Sequence, residues 1–308
     1  MLKLGIIGLS EGNGHPYSWS SIINGDFDRA EMIKCGFAGI PIYLEANSDT
    51  LGIDGAEVTH IWTQDRKISE RVAAASGIKN VVDKATEMIG QVNAVLLARD
   101  DPEFHVAMAM PFLDADIPIF IDKPLAIATE DLAYFSRQNA KGKLMMSCSS
   151  MRYSIECLRV RPELALMGKI ELATVIGKKS WVKYGVHMLE ALFALLDDPV
   201  AASVQHVSEA GKDIVFVKFE NGLLATVHIF MDIALTFQLS LFGRNGWRQV
   251  EIKDSYTMFK ENLKEFIQSV REGKSRLAFE KTENIIRTLI GAKDSLASGG
   301  KTIHLINP

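Results

Sequence analysis

The chain has 308 residues, a length that favours two domains of about 150 residues each. Hydrophobic residues make up 47% and charged residues 23%, which is ordinary for a globular enzyme, and the net charge of −4 excludes the strongly basic surface of a nucleic-acid-binding protein. The cysteines, Cys35, Cys148 and Cys157, lack the spacing of a zinc ribbon or a disulfide framework. We therefore expect a protein of the reducing cytoplasm.

Membrane and metal partners are not expected either. The first apolar run, Leu4 to Leu9, is too short for the core of a signal peptide, and no stretch reaches the roughly 18 apolar residues of a membrane helix. The longest candidate, Val186 to Leu196, contains His187 and Glu190 and reads as a buried helix. The seven histidines are scattered without ligand spacing, so we expect no metal site.

Short apolar runs alternate with helical patterns in the first half of the chain. Four strands are predicted, at Leu2–Leu9, Glu57–Thr63, Val92–Ala98 and Ile117–Ile121. Three helices are predicted, at Ser69–Ser76, Asp83–Ile89 and Glu103–Leu113. This alternation indicates βαβ units and a buried parallel sheet. The segment from Gly36 to Gly55 is rich in glycine, and we expect an irregular insertion there.

The second half predicts a different sheet. Five closely spaced strands are predicted, at 200–207, 213–220, 223–232, 235–243 and 247–252. Asn-Gly pairs at 221–222 and 245–246 favour hairpins, and strands joined by hairpins are antiparallel. Two helices, Tyr256–Glu272 and Glu280–Ala297, and a short strand, Thr302–Ile306, complete the pattern. The fold class is therefore α/β with two domains, residues 1–124 and 125–308.

A glycine-rich turn follows the first strand, in the sequence Gly8-Leu9-Ser10-Glu11-Gly12-Asn13-Gly14. Glycines between a strand and a helix let a pyrophosphate approach the backbone amides. The dinucleotide pattern GxGxxG is altered, since Ser10 and Asn13 occupy its second and third glycine positions and Gly12 and Gly14 stand nearby. A tight turn without a ligand is the other interpretation. The turn also matches GxSxG, which would make Ser10 the nucleophile of a hydrolase, but such an elbow on the first strand is unusual and we favour a chance match.

Two further side chains are candidates for chemistry. Lys123 stands beside Asp122 in Ile-Asp-Lys-Pro-Leu-Ala at a strand end, where open α/β sheets bind ligands; the alternative is a solvated surface lysine. His187 shares a helix face with Lys183 and Glu190. A histidine there is suited to general base catalysis, and the alternative is a hydrogen-bonded core histidine.

Taken in order, these segments resemble the glucose–fructose oxidoreductase, inositol dehydrogenase and rhizopine catabolism family (Gfo/Idh/MocA). Residues 121–126 resemble its EKPLA signature, and residues 92–105 resemble its strand, loop and histidine segment, which ends here at His105. Residues 183–192 resemble its DxGxHxxD segment, and the tail from 266 onward resembles its C-terminal helices. The resemblance covers nearly the whole chain.

This resemblance implies a Rossmann domain, a doubly wound parallel sheet, followed by an α/β domain with a large, mostly antiparallel sheet. It implies an oxidoreductase of carbohydrate metabolism that uses NAD or NADP. The hydride would move to or from a hydroxyl or carbonyl carbon of a sugar, cyclitol or nucleotide-sugar. Oligomerisation, as a homodimer or homotetramer, would use the second sheet.

The resemblance also implies roles for individual residues. Lys123 would orient the reacting oxygen beside the nicotinamide, and His187 would move the hydroxyl proton. Asp65 would bind the ribose hydroxyls of NAD, or Arg66 the 2′-phosphate of NADP. The other cofactor contacts implied are Gly8, Ser10, Gly12, Gly14, Arg99 and Asp122. The substrate contacts implied are Arg152, Lys183 and Tyr184.

Several positions depart from the family pattern. Lys183 replaces the acid that usually lies four residues before the histidine, and Arg99-Asp100 replaces a customary Thr-Pro. Together with the altered glycine turn, these changes leave a second hypothesis open. In it, the protein has the shape of the family and binds a nucleotide or sugar without turnover.

Overall fold

The computed structural model describes residues 1–305 and divides the chain into two compact units. The first unit contains residues 1–126, 130–148 and 259–279, and the second contains residues 127–129, 149–258 and those from 280 onward. The first unit thus extends beyond the boundary predicted after Pro124. The reason is packing: a sixth strand lies at Met145–Met146, and Phe266 packs edge-on against Phe120, with ring centroids 5.7 Å apart.

The first unit contains a six-stranded parallel sheet, which confirms the predicted α/β class. Its strands are β1 (Leu2–Gly8), β2 (Ala56–Thr63), β3 (Asn80–Val81), β4 (Ala94–Leu97), β5 (Ile119–Ile121) and β6 (Met145–Met146). Their order is β3-β2-β1-β4-β5-β6. The strand order reverses between β1 and β4, and the crevice at the carboxyl ends of those strands is where such sheets bind ligands.

Helices connect these strands. They are α1 (His15–Asn24), α2 (Arg29–Ile33), α3 (Gly39–Ala46), α4 (Arg66–Ser76), α5 (His105–Asp114) and α6 (Thr129–Ala140). Single 3₁₀ turns lie at Ser48–Thr50, Ala85–Met88 and Pro102–Phe104. The short helix predicted at Asp83–Ile89 is the second of these turns.

The expectation of an irregular insertion from Gly36 to Gly55 was wrong, because α3 and a 3₁₀ turn lie within it. The apolar residues Ile40 and Leu44 stand four apart and are both buried, which is the helical signal that the glycines obscured. This segment packs on the glycine turn. A Cβ atom on Gly14 would lie 2.5 Å from Cδ1 of Ile40 and 2.8 Å from Cγ of Phe37.

The second unit contains a seven-stranded sheet with the order β12-β11-β7-β10-β9-β8-β13. Its strands are β7 (Ile170–Lys178), β8 (Ala201–Glu209), β9 (Lys212–Phe219), β10 (Leu224–Phe230), β11 (Phe237–Gly243), β12 (Gly246–Glu251) and β13 (Ile303–His304). All neighbours are antiparallel except β7 and β10. The five predicted strands and both Asn-Gly hairpins are confirmed, and β7 was not predicted. Ile306, the predicted end of the last strand, lies outside the described residues.

The helices of the second half are α7 (Ile155–Val160), α8 (Trp181–Leu195), α9 (Ser255–Glu272) and α10 (Phe279–Ala297), with 3₁₀ segments at Ser150–Tyr153 and Arg161–Met167. Helix α8 packs on the inner face of the second sheet. Met188 is fully buried, and its side chain lies 3.1 Å from where a Cβ of Gly177 on β7 would stand. This packing fixes the rotation of α8 and therefore the direction of His187, one residue earlier.

Within residues 1–305, no helix is both long and apolar enough to cross a membrane. The same residues contain no group of three or more histidine, cysteine or acidic side chains arranged to hold a metal ion.

Candidate active site

In the glycine turn between β1 and α1, a side chain would have free space at Gly12 and none at Gly14. Gly12 has a φ of +77°, which favours glycine, and no atom lies within 4 Å of where its Cβ would stand. Gly14 is closed by Phe37 and Ile40, as described above. The side-chain oxygen of Asn13 accepts the N–H of His15 at 2.8 Å at the start of α1. The turn therefore has free space beside Gly12, just before the start of a ten-residue helix.

Lys123 lies at the carboxyl end of β5 and is buried. Its Nζ lies 3.3 Å from Oδ2 of Asp100, and the two side chains are only 8% and 9% exposed. Asp100 follows β4, and its Oδ1 accepts a hydrogen bond of 2.6 Å from Oγ of Ser10 in the glycine turn. The ends of three neighbouring strands, β1, β4 and β5, therefore bring these three side chains together. The alternative of a solvated surface lysine is wrong.

Asp122 is buried beside Lys123 and collects three hydrogen bonds. Oδ1 accepts the N–H of Lys123 at 2.7 Å, and Oδ2 lies 2.8 Å from Nδ2 of Asn13 and 2.6 Å from Nδ1 of His15. Burial alone would raise the pKa of this carboxyl, but the charges of His15 and Lys123 outweigh it and lower the pKa below its ordinary value. Neither Asn13 nor His15 was predicted as a site residue.

The predicted ribose contacts have partners of their own. Asp65 caps α4 by accepting the N–H of Lys67 at 2.9 Å, and Arg66 forms ion pairs with Glu70 and Asp83. The side chain that reaches the glycine turn is instead Gln64. Its Oε1 accepts the N–H of Leu9 at 3.0 Å and a second hydrogen bond from Arg99 at 3.1 Å. The cofactor roles of Asp65 and Arg66 stay predictions, and Gln64 is a candidate that sequence patterns missed.

Arg99 and His105 brace the loop that carries Asp100. Arg99 is buried and forms two hydrogen bonds with Asp101, of 2.9 Å from Nε and 2.5 Å from Nη2. The ring of His105 is fully buried and lies between two backbone carbonyls, 2.9 Å from that of Arg99 and 3.1 Å from that of Leu125. This histidine therefore ties the loop after β4 to the loop after β5.

In the second unit, His187 projects from α8 and is partly exposed. Its Nδ1 lies 2.6 Å from Oγ of Ser149, and that Oγ also accepts the N–H of Met151 at 3.2 Å. The ring of Tyr184, one turn earlier, lies 5.1 Å from the imidazole ring. A hydroxyl at Nδ1 fixes the orientation of the ring in either tautomer. Ser149 was not predicted, because nothing in the sequence pairs it with a residue 38 positions away.

Arg152, a predicted substrate contact, lies in a buried ion cluster of the second unit. Its guanidinium forms an ion pair with Glu190 and hydrogen bonds of 2.7 and 3.1 Å with Asp198. Burial raises the pKa of Glu190 despite Arg152. For Asp198, Arg152 and Lys281 outweigh the effect of burial and lower the pKa. This geometry anchors the 150–153 turn to α8, and the substrate contact of Arg152 stays a prediction.

The other two predicted substrate contacts lie on the exposed side of α8. Lys183 is exposed. The ring of Tyr184 stacks on Phe237 at 5.5 Å, and its hydroxyl accepts a hydrogen bond of 2.5 Å from Lys179. Both side chains therefore lie on the helix face of His187, as the spacing indicates, and their roles toward a substrate stay predictions.

The lowered pKa of Asp122 predicts a pH-dependent contribution to stability. Because its folded pKa is depressed, the carboxylate stabilises the fold above the ordinary range near pH 4, and that stabilisation is lost as the pH falls further. Asp122→Asn should lower the free energy of unfolding by about 2–4 kcal/mol at pH 7. Urea unfolding between pH 7 and pH 3 should show this difference shrinking below about pH 4. The exposed Asp49→Asn serves as the control, and a difference that is constant with pH would contradict the assignment.

Comparison with known proteins gives a family match and a fold match. Residues 33–147 match the family model described as the oxidoreductase family with an NAD-binding Rossmann fold, GFO_IDH_MocA. The match begins after the glycine turn, which is the segment that departs from the dinucleotide pattern. Comparison with curated protein sequences finds no match.

Solved structures of dehydrogenases have the same fold over the whole chain. Myo-inositol dehydrogenase from Lactobacillus casei, in complex with NAD(H) and myo-inositol, aligns over 100% of this chain and 97% of its own, with a TM-score of 0.77 and 16% identity. Scyllo-inositol dehydrogenase from the same organism aligns over 99% and 98%, with a TM-score of 0.78 and 11% identity. A probable dehydrogenase from Thermotoga maritima aligns over 99% of both chains, with a TM-score of 0.76 and 14% identity. At these identities the structural likeness shows the fold alone.

The sequence resemblance, the family match over residues 33–147 and the shared two-domain fold agree with one another. Residues 33–147 of the chain thus match the GFO_IDH_MocA oxidoreductase family, which has an NAD-binding Rossmann fold.

Proposed function

We propose that this protein is an NAD(P)-dependent dehydrogenase that acts on a CH–OH group of a sugar, cyclitol or nucleotide-sugar. The observation that carries the proposal is the position of Lys123. It is buried at the carboxyl edge of the parallel sheet, and Asp100 and Ser10 connect it to the glycine turn that is open at Gly12. A catalytic cation and a phosphate-binding turn at the same sheet edge are what a dinucleotide-dependent enzyme needs.

Different residues of the first unit would bind different parts of the cofactor. The turn around Gly12 and the start of α1 would hold the pyrophosphate, and Gln64, which accepts the N–H of Leu9 in the turn, would contact the adenosine end. When bound, NAD(P) supplies the carbon that accepts or returns the hydride. The ammonium of Lys123 donates a hydrogen bond to the reacting oxygen of the substrate and so orients it.

His187 has the geometry of a general base. With its Nδ1–H donated to Oγ of Ser149, the opposite nitrogen, Nε2, takes the hydroxyl proton while the hydride leaves the carbon that bears it. The alcohol thus loses one proton and one hydride and becomes a carbonyl. In the reverse direction the imidazolium returns the proton. Ser149 replaces the carboxylate that usually accompanies this histidine in the family.

Binding without turnover is a second candidate function, and one observation favours it. The sequence has Lys183 where the family has an acid, and the partner of Nδ1 in His187 is a neutral hydroxyl. A hydroxyl stabilises an imidazolium less than a carboxylate does. The two candidates predict the same cofactor binding, but only the first predicts that the cofactor absorbance changes when sugars, cyclitols and nucleotide-sugars are supplied.

Cofactor binding tests the proposal directly. Titration with NADH and NADPH should quench the fluorescence of Trp19, which stacks on His15 beside the turn at 4.4 Å. Gly12→Asp places a carboxylate at the open position and should weaken binding at least about tenfold. Gly77→Asp is the matched control, since Gly77 also has a positive φ and an open Cβ position but caps α4. Failure of the wild-type protein to bind either nucleotide would contradict the proposal.

Substitution of His187 tests the proton-transfer step once a substrate is known. His187→Asn should lower kcat about 100-fold or more, because the base is removed, and Ser149→Ala should lower it by a smaller factor because only ring orientation is lost. His304→Asn, an exposed histidine on β13, is the control and should keep the wild-type rate. Retention of the full rate across pH by His187→Asn would remove His187 from the mechanism.

We further propose that the protein self-associates through the outer face of the second sheet. An exposed apolar row crosses four adjacent strands of that face. Its members, each directly opposite the next, are Trp247 on β12, Phe242 on β11, Leu172 on β7 and Leu224 on β10. A contiguous apolar row of this kind is unusual on an isolated domain, and a second copy of the chain would cover it.

The apolar row predicts the effect of a single charge. Trp247→Glu should convert the oligomer to monomers, because a carboxylate in the apolar row would be buried without a partner in the interface. Gln249→Glu adds the same charge on the same face of β12 outside the row and should leave the assembly intact. Light scattering after size-exclusion chromatography measures both, and a wild-type protein that is monomeric at all concentrations would refute the interface.

A further inference from the structure

The loop after β4 places a carboxylate against the catalytic lysine, and the proposed reaction does not use that carboxylate. Oδ2 of Asp100 lies 3.3 Å from Nζ of Lys123, while Oδ1 accepts the hydroxyl of Ser10 at 2.6 Å. The backbone N–H of Asp100 also donates to Oγ of Ser10 at 3.0 Å. The carboxylate thus contacts Ser10 and Lys123, and rotation away from Lys123 would break its hydrogen bond with Ser10.

The environment makes this pair a strong one. Both side chains are at least nine-tenths buried, so little water weakens their attraction. The second carboxylate of the cluster, Asp122, accepts the backbone N–H of Lys123 and lies close enough for their charges to interact. The carboxylate of Asp100 therefore provides a buried counter-charge in direct contact with the Lys123 amine.

We propose that Asp100 is a positioning residue of the active site, which keeps Lys123 a charged hydrogen-bond donor and fixes its direction beside the glycine turn. Lys123 then orients the reacting oxygen and does not itself remove the proton, so the proton goes to a different group. The catalytic part of this inference rests on the proposed dehydrogenase function. The control of the charge on Lys123 by Asp100 does not rest on it.

The sequence difference supports the assignment. The resemblance places a neutral Thr-Pro where this chain has Arg99-Asp100, so the negative charge is added at the lysine. Arg99 and His105 stabilise the loop that carries Asp100. Arg99 bonds to Asp101, and the ring of His105 contacts the backbone carbonyl of Arg99. A carboxylate held by this much buried structure is not a freely moving surface acid.

Acylation of lysine tests this without a known substrate, because only a neutral amine reacts. The intact protein is treated with acetyl N-hydroxysuccinimide at several pH values, and peptide mass spectrometry compares Lys123 with the exposed Lys67. In Asp100→Asn, Lys123 should acylate roughly tenfold faster relative to Lys67 than in the wild-type protein at pH 8. Ser10→Ala loosens the same contact without removing charge and should change the ratio less than about twofold. Asp100→Glu should restore the wild-type ratio.

Each outcome decides the inference. A ratio unchanged in Asp100→Asn, or raised equally in Ser10→Ala, would overturn it, since the effect would then be absent or due to access alone. Asp100→Ser, a smaller neutral variant, replaces Asp100→Asn if the latter does not fold. NADH titration of the same samples separates the two proposals. If the wild-type protein does not bind NADH but the acylation difference between wild type and Asp100→Asn is observed, the dehydrogenase proposal fails and the role of Asp100 is supported.

Discussion

The structure of the candidate site depends on two carboxylates, Asp100 and Asp122, which are buried at the carboxyl edge of the parallel sheet and are each paired with donors. A buried charge without a partner is strongly unfavourable, so each carboxylate must collect donors from the segments around it. Asp122 collects Asn13, His15 and the backbone of Lys123, and Asp100 collects Ser10 and the Lys123 ammonium. The glycine turn and Lys123 are therefore held as one hydrogen-bonded unit.

The second unit also buries a charged side chain that needs partners, in this case a cation. Arg152 is a buried cation, and Glu190 of α8 and Asp198 beyond its end neutralise it. The same carboxylate of Glu190 accepts the N–H of Ser149 at 3.2 Å, which places the serine hydroxyl on Nδ1 of His187. The direction of the proposed base thus follows from an ion cluster that contains no reacting group. In both units, buried charges position the residue that would do the chemistry.

Local sequence patterns predicted the strands well and the long-range contacts poorly. Apolar runs such as Ile117–Ile121 mark strands buried on both faces, and Asn-Gly pairs mark hairpins, because both signals lie within a few residues. Helix α3 was missed because glycine and proline masked the spacing of Ile40 and Leu44. Strand β7 was missed because charged residues at its ends broke the apolar run.

The site residues divide in the same way. Lys123 and His187 are predicted from a strand end and a helix face and from motifs that resemble those of a family, and their catalytic roles stay predictions. Gln64, His15 and Ser149 were missed because each meets a partner at least 38 positions away, a distance over which composition and spacing carry no information. Asp65 caps α4 and Arg66 pairs with neighbouring acids, local contacts that leave their roles toward the ribose as predictions.

The central claim is that the glycine turn and Lys123 form a single nucleotide-binding unit. Hydrogen–deuterium exchange of the intact protein with and without NADH tests it most directly. The account predicts that NADH slows exchange together in the turn at 9–14, in the loop at 99–101 and at 122–123, because Asp100 and Asp122 join these three segments. Protection of none of them, or of the turn without the two loops, would contradict it.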